Sequence, residues 1–144
     1  GIAYARYKNF AAYCAVAVEV EVNDAAEVIL HRAWIACDAG EVVDPDGLTA
    51  QLEGGLIQAA SWSLYEQVTY DGGGITSRDW ETYPIIRFNN IPEVKTILMA
   101  RPGEPFLGAG ETGGAIVNAI HDTVGLRLRR MPFDADAIKL AAMQ

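Results

Sequence analysis

The stretch FAAYCAVAVEVEVNDAAEVILHRAWIACD, which spans Phe10–Asp38, decides the fold. In its first part, Phe10–Val22, small apolar side chains and valines recur at every second position, and Glu19 faces the other way. This period of two is typical of a strand. Asn23-Asp24 supplies a turn, and Val28–Asp38 is a second strand rich in β-branched and aromatic residues. The pair predicts a β-hairpin, and because the second strand is apolar on both faces we expect it to be buried on both sides.

Helical segments follow the hairpin. Asp44 as N-cap and Pro45 at the first helical position predict a helix that runs to about Tyr65. The other predicted elements are a strand pair at Glu66–Tyr70 and Ile75–Tyr83, a strand at Val94–Ala100, a helix at Ala115–Val124 stopped by Gly125, and a short helix at Asp134–Ala142. Residues 1–9 show no clear period. We therefore expect an α+β fold in which antiparallel β-hairpins and a mixed sheet pack against two main helices.

The composition bounds the class of protein. The 144 residues suffice for one domain, and the 51% hydrophobic content is slightly rich for a free-standing one, which indicates apolar surface covered by something else. The net charge of −8 disfavours nucleic acid and anionic membranes as partners, because phosphate groups would be repelled. The basic run at Arg127–Arg130 is short and is interpreted as a surface patch. We find no apolar run long enough for a transmembrane segment.

The candidate metal ligands are few. Cys14 and Cys37 lie in the predicted strands, without a CxxC motif or a His/Cys cluster at metal spacing. The pattern favours reduced, buried thiols over a disulfide, and it argues against an Fe–S or zinc site on this chain. His31 is predicted to be a hydrogen-bonded structural residue of the second strand. No residue of the chain is assigned as a metal ligand.

A glycine-rich segment, FLGAGETGG at Phe106–Gly114, precedes the second long helix. Glycines let a backbone approach a bulky group closely, and a helix start offers free N–H donors that suit an anionic ligand. Glu111 is the carboxylate of this segment and is a candidate general base. A glycine-rich connector with Glu111 as an ordinary residue is the other interpretation, and spacing alone favours it.

The first helix carries a second unusual pattern. Gln51, Gly54, Gly55, Gln58 and Trp62 fall on one face, beside a leucine-rich stripe. Two glycines in mid-helix cost about 1 kcal/mol each relative to alanine, so they need a reason. Tight backbone packing and the close approach of a ligand both supply one. Gln51 is the residue on this face that is able to hydrogen-bond a polar ligand through two atoms.

Taken together, four blocks of the chain resemble a known family in the same order. They are GIAYARYKNFAAYCAVAVEVEV, HRAWIACDAGEVVDPDGLTAQLEGGLIQAASWSLYE, YPIIRFNNIPEVKTIL and FLGAGETGGAIVNAIHDTVGLRLRRMP. The chain is similar to the C-terminal part of the molybdenum-binding subunit of the xanthine dehydrogenase family. The nearest branch comprises the two-subunit bacterial hydroxylases, such as isoquinoline 1-oxidoreductase and related aldehyde dehydrogenases.

The resemblance implies roles for two motifs. The family's G-x-G-E loop matches Gly108, Ala109, Gly110 and Glu111, which implies that the three small residues lie against the cofactor and that Glu111 is catalytic. Many members follow the glutamate with proline, whereas Thr112 stands here, so the loop geometry stays open. The family's Q-x-E-G-G helix matches residues 51–55, which implies that the glutamine and the first of its two glycines contact the pterin.

The implied activity is that of a molybdenum hydroxylase. Glu111 would act as general base on a molybdenum-bound hydroxide that attacks an N-heterocycle or an aldehyde. The implied cofactor is a molybdenum pterin, as molybdopterin cytosine dinucleotide, shared with segments outside this chain, and 2Fe–2S clusters would be carried only by a small partner subunit.

The resemblance also implies that residues 1–144 are the C-terminal portion of a molybdopterin-binding domain, as a fragment or a split subunit. One lobe of that domain would need the remainder of the molybdenum-binding subunit as its partner. A cytoplasmic and a periplasmic location both stay open. The alternatives are a non-catalytic assembly domain of such an enzyme and an α+β domain that binds an anionic small molecule.

Overall fold

The computed structural model of the chain describes residues 1–6, 11–105, 107 and 114–143. Six strands, three α-helices and a short 3₁₀ helix at Phe88–Asn90 occur among them. The strands and α-helices are β1 (Ile2–Arg6), β2 (Tyr13–Val22), β3 (Val28–Asp38), α1 (Pro45–Leu64), β4 (Tyr70–Asp71), β5 (Gly74–Ile75), β6 (Glu93–Leu98), α2 (Gly114–Val124) and α3 (Ala135–Ala142). Four strands form a mixed sheet in the order β1-β2-β3-β6. The first three are antiparallel, and β6 runs parallel to β3. The α+β class is confirmed.

The central hairpin agrees with the sequence pattern. β2 and β3 pair from Val22↔Val28 to Tyr13↔Asp38, with a bulge between Glu19 and Val20. The predicted start of the first strand, Phe10, lies outside the described residues, and the strand is observed from Tyr13. The side chain of His31 is hydrogen-bonded to Glu21 Oε2 at 3.0 Å, as expected for a structural histidine.

Two strand predictions are corrected. No element was predicted for the first nine residues, but Ile2–Arg6 pair with β2 as an edge strand. Its side chains are mostly exposed, so no alternation of apolar and polar residues marks it in the sequence. The predicted pair at Glu66–Tyr70 and Ile75–Tyr83 shrinks to two residues on each side. Asp79 instead accepts hydrogen bonds from the Thr82 amide and hydroxyl groups, which supply a compact turn where a strand was expected.

The helices begin and end where their capping residues predict. Asp44 Oδ1 accepts a hydrogen bond from the Gly47 amide at 3.0 Å, which caps α1. Gly125, at φ +73°, ends α2 in the left-handed conformation that favours glycine. Asp134 caps α3 in the same way as Asp44 caps α1. None of these helices, within the described residues, is long and apolar enough to cross a membrane.

The core lies between one face of the sheet and the helices. Its buried side chains alternate along β2 and β3 and meet the leucine stripe of α1 and the apolar face of α2. We call this the covered face; it includes Cys14, Val16, Val18, Ala33, Ile35 and Cys37. The opposite side is the open face; it presents Ile2, Tyr4, Arg6, Tyr13, Ala15, Ala17, Glu19, Arg32, Trp34, Ala36, Glu93, Lys95 and Ile97. Helices α1 and α2 pack on the covered face, and Ile138 of α3 joins the same core.

Candidate functional site

The predicted site residues divide between described and undescribed parts of the chain. Glu111, Gly108, Ala109 and Gly110 lie outside the described residues. Their roles therefore stay predictions. What the structure describes is how the two ends of their segment are held, and where Gln51 lies.

The entry to the glycine-rich segment is tied to the sheet edge at which β3 and β6 both end, which we call the carboxyl edge. The Arg101 amide donates to the Gly40 carbonyl at 3.1 Å, and the Leu107 amide donates to the Ala39 carbonyl at 2.9 Å. The Arg101 guanidinium also forms an ion pair with Asp38, with 2.9 Å between Nε and Oδ1. Backbone and side-chain bonds together fix the chain immediately before residue 108.

Gly40 makes this close approach feasible. Its φ is +74°, and a Cβ atom there would lie 2.1 Å from the Pro105 carbonyl oxygen, which is far inside contact distance. A side chain at this position would push away the segment that leads to Leu107. Neither Gly40 nor the Asp38–Arg101 pair was predicted from the sequence, although a strand followed by Asp-Ala-Gly is a pattern that marks a tight turn.

The exit from the segment is held by α2. Ala115 and Ile116, in the first turn of that helix, are fully buried. Further along, the Asn118 side chain donates to the Ile2 carbonyl at 2.8 Å, and Gly1 lies so close to the α2 backbone that a Cβ atom there would be 2.1 Å from the Ala119 nitrogen. Because β1 runs from residue 1 towards the carboxyl edge, these contacts direct the start of α2 to that edge. Both ends of the segment that carries Glu111 are thus held at the carboxyl edge of the sheet.

The first helix starts at this edge as well, since it follows β3 after a short connection. Gln51 and Gly54 lie on its exposed face, three positions apart in the sequence. A Cβ atom at Gly54 would meet nothing within 4 Å, so packing within the described residues does not account for that glycine. The prediction that Gly55 lies on the same face is wrong, because Gly55 is buried on the face of the helix that packs against the core. A bulky group with polar atoms fits the Gln51–Gly54 surface, because it is open and lacks side-chain bulk.

Other reactive groups of the chain do not join this site. No group of three or more metal-binding side chains occurs in the part of the chain that is described. Both cysteines are reduced and buried, as predicted. The hydrogen bond with Cys14, together with burial, raises the pKa of the Cys37 thiol far above its ordinary value. Such a thiol stays neutral and is a poor nucleophile.

Two cavities lie at the other end of the molecule. One, of about 420 Å³, is bounded by Glu27–Leu30, by the end of α1 and by the start of α3. The other, of about 570 Å³, lies beside Arg127–Pro132 and α3. Neither is lined by Gln51 or Gly54. Among the described residues, Gln51 and Gly54 lie on an exposed surface outside both cavities.

Comparison with known proteins gives a consistent result. Residues 3–92 match the family model of a molybdopterin cofactor-binding domain. One of the subunits of nicotinate dehydrogenase from Pseudomonas putida is 36% identical over 98% of this chain and 13% of its own length. The beta subunit of isoquinoline 1-oxidoreductase from Brevundimonas diminuta is 35% identical over 92% of this chain and 17% of its own length. The chain thus spans less than a fifth of either relative.

Solved structures share the fold. Quinoline 2-oxidoreductase from Pseudomonas putida 86 superposes with a TM-score of 0.85 at 21% identity, over 92% of this chain and 19% of that one. The aldehyde oxidoreductase from Desulfovibrio gigas gives a TM-score of 0.76 at 23% identity, over 92% and 16%. At these identities the likeness establishes the arrangement of strands and helices.

Proposed function

The chain belongs to the molybdopterin cofactor-binding domains of the xanthine dehydrogenase family, and on that premise we propose that it supplies the catalytic base of a molybdenum hydroxylase. Glu111 is the proposed base. The proposed substrate is an N-heterocycle or an aldehyde, and the oxygen that enters the product derives from water. The proposed enzyme needs the remainder of the molybdenum-binding subunit and an Fe–S partner.

The anchoring of the glycine-rich segment at the carboxyl edge is the observation that carries this proposal. Hydrogen bonds fix the segment at Leu107, and burial of Ala115 fixes it on the other side. A carboxylate on a short loop between two fixed points has a restricted reach, which is what a positioned general base requires. When bound, the molybdenum-pterin cofactor supplies Lewis acidity and two-electron redox capacity. Glu111 would accept and hold the proton that the water-derived nucleophile loses.

The exposed face of α1 supplies the proposed cofactor contacts. The Gln51 amide offers a donor and an acceptor to one polar edge of the pterin. The missing side chain at Gly54 lets the cofactor lie close to the helix backbone, one turn from that amide. Gly108, Ala109 and Gly110 would border the same group from the loop, with small side chains that admit it.

The principal test replaces the base in the assembled enzyme. Glu111→Gln keeps the size of the side chain but removes its basicity, so we expect turnover to fall by a factor on the order of 10²–10⁴. Molybdenum and pterin contents, measured by metal analysis and by pterin fluorescence after release, should stay near those of the unmodified enzyme. Normal turnover in a fully loaded variant would refute the role of Glu111.

A matched pair on α1 tests the cofactor contacts. Gln51→Ala should lower the pterin content of the assembled enzyme, whereas Gln58→Ala, on the same exposed face about 10 Å further along the helix, should not. Equal pterin contents in the two variants would remove Gln51 from the site.

Gly54→Ala separates ligand contact from helix stability. A methyl group at this position meets nothing within 4 Å. Because alanine has a better helix propensity than glycine, the free energy of unfolding of the isolated chain should rise by about 1 kcal/mol. We nevertheless expect a lower pterin content in the assembled enzyme. A gain in stability with unchanged pterin content would show that the cofactor does not approach this glycine.

The open face of the sheet favours one alternative, a non-catalytic assembly domain. In that case the chain would use the inherited fold only to contact other subunits. Metal analysis of the complete assembly discriminates the two: absence of molybdenum favours the assembly role, and stoichiometric molybdenum with a Glu111-dependent turnover favours the enzyme.

A further inference from the structure

The open face differs from an ordinary solvated face of a sheet. Ile2, Tyr4 and Ile97 project from it and are 71%, 63% and 47% exposed. Between them lie Ala15 and Ala17, on the strand that pairs with both β1 and β3. An antiparallel sheet that faces water normally alternates apolar and polar residues. Here β2 places small apolar residues on the side that no described helix covers.

The distribution of side chains is that of a protein interface. Alanines and Trp34 form a flat apolar centre, in which Ala17 pairs directly with Trp34 across the strands. Charged residues lie around this centre, including Arg6, Lys95 and the Glu19–Arg32 ion pair. An apolar centre with a polar rim is the usual anatomy of a contact surface.

The aromatic residues of this face are already ordered. Tyr4 and Tyr13 are stacked, with 6.3 Å between ring centroids. The Arg6 guanidinium lies 4.8 Å from the centre of the Tyr13 ring, and that of Arg32 lies 5.4 Å from the centre of the Trp34 ring. Tyr, Trp and Arg are the residues that carry most binding energy at interfaces, and prior ordering lowers the entropy lost on association.

We infer that the open face is the docking surface for another segment of the molybdenum-binding subunit. This inference rests on the proposed function. The relatives contain several times more polypeptide than this chain, which spans 13% and 17% of two of them. The open face carries three basic side chains (Arg6, Arg32 and Lys95) and two acidic ones (Glu19 and Glu93), so the net charge of −8 lies elsewhere on the molecule. Pairing with a second copy would bring two such acidic bodies together, which disfavours a homodimer.

Footprinting of the assembled enzyme tests whether the face is covered. Tyr4 and Tyr70 are matched, since they are 63% and 70% exposed in this chain but lie on different surfaces. Under hydroxyl radicals we expect about tenfold less modification at Tyr4 than at Tyr70, because an interface centre excludes water. Equal modification of the two tyrosines would overturn the inference.

A photo-crosslinking amino acid in place of Ile97 then identifies the occupant. The expected adduct, located by mass spectrometry, is a peptide of the molybdenum-binding subunit outside residues 1–144. An adduct only with a second copy of the chain, or only with the Fe–S subunit, contradicts the inference. Molybdenum analysis of the same preparation keeps the two proposals separate: a protected Tyr4 without molybdenum would leave the docking surface intact and refute the proposed enzyme.

Discussion

The covered face and the open face of the sheet are built by the same strands, from residues that are mostly apolar. Ile35, on the covered face, is 1% exposed, whereas Ile97, on the open face of the neighbouring strand, is 47% exposed. Helices α1 and α2 pack on the first. The second carries ordered aromatic and arginine side chains that no described helix covers. Alternation along a strand thus determines which residues share a face, but it does not determine what packs against that face.

The contrast bears on the prediction that β3 is buried on both faces, which the structure fulfils for one face. The apolar character of β3 on both faces predicted burial on both sides, and the structure buries only one with its own helices. We interpret the unmet half of that prediction as a property of the assembled enzyme.

The largest effect is expected on the covered face. Ile35→Ala removes a fully buried side chain from the middle of the core, so the free energy of unfolding should fall by about 2–5 kcal/mol. Urea denaturation of the chain, followed by circular dichroism, measures this. A loss below about 1 kcal/mol would mean that the covered face is not the core.

A buried hydroxyl group should cost less than a cavity but more than any change on the open face. Val16→Thr keeps the shape of the side chain and places an oxygen among apolar atoms, for an expected loss of about 1–3 kcal/mol. Ala17→Thr, one residue along on the open face, should stay within about 0.5 kcal/mol of the unmodified chain. If the two threonines had equal effects in the same denaturation experiment, the distinction between the faces would fail.

On the open face, truncation should have a small effect on the chain itself. Ile97→Ala removes a side chain that is already half in water, so we expect a loss of less than about 1 kcal/mol in the isolated chain. The same variant should expose the open face in the assembled enzyme, measured as increased hydroxyl-radical modification of Tyr4. A large loss of stability with unchanged modification of Tyr4 would reverse our assignment.

The smallest expected effect is electrostatic. The hydrogen bond and charge of Arg32 hold the pKa of Glu19 below its ordinary value. A carboxyl group with a lowered folded pKa contributes stability above the unfolded pKa, and this contribution disappears as the pH falls through the folded pKa. Glu19→Gln should therefore flatten the acid side of the stability profile slightly. Glu41→Gln, outside the sheet, is the control, and identical profiles for the two variants would exclude a role for the Glu19–Arg32 pair.

The parts of the fold that the sequence predicted are those governed by neighbouring residues. β3 occupies the predicted range, and α1 begins after Asp44 as its capping residue indicated. The sequence did not predict β1, nor that β6 lies parallel to β3. β1 is a mostly exposed edge strand without a clear alternation of apolar and polar residues, and β6 pairs with residues about 60 positions earlier in the chain, so neither pairing leaves a trace in the local pattern.

The candidate site shows the same division. Motifs selected Gln51, Gly54 and Glu111, because each is an unusual residue in its local context. Gly40 and the Asp38–Arg101 pair escaped selection, because their role is to hold one segment against another about 60 residues away. The described residues place Gln51 and Gly54 on one exposed face, and the position of Glu111 stays a prediction.

The sequence by itself determined the hairpin, the caps of the helices and the family, since alternation, capping and motifs depend on residues that are close in the chain. Only the tertiary structure decided which face of the sheet the helices cover and how the entry to the glycine-rich segment is tied to the carboxyl edge. Both features depend on which surfaces come together after the chain has folded, because a residue is buried by segments that are distant from it in the sequence. The same reason applies to the open face, whose proposed partner lies beyond the described residues.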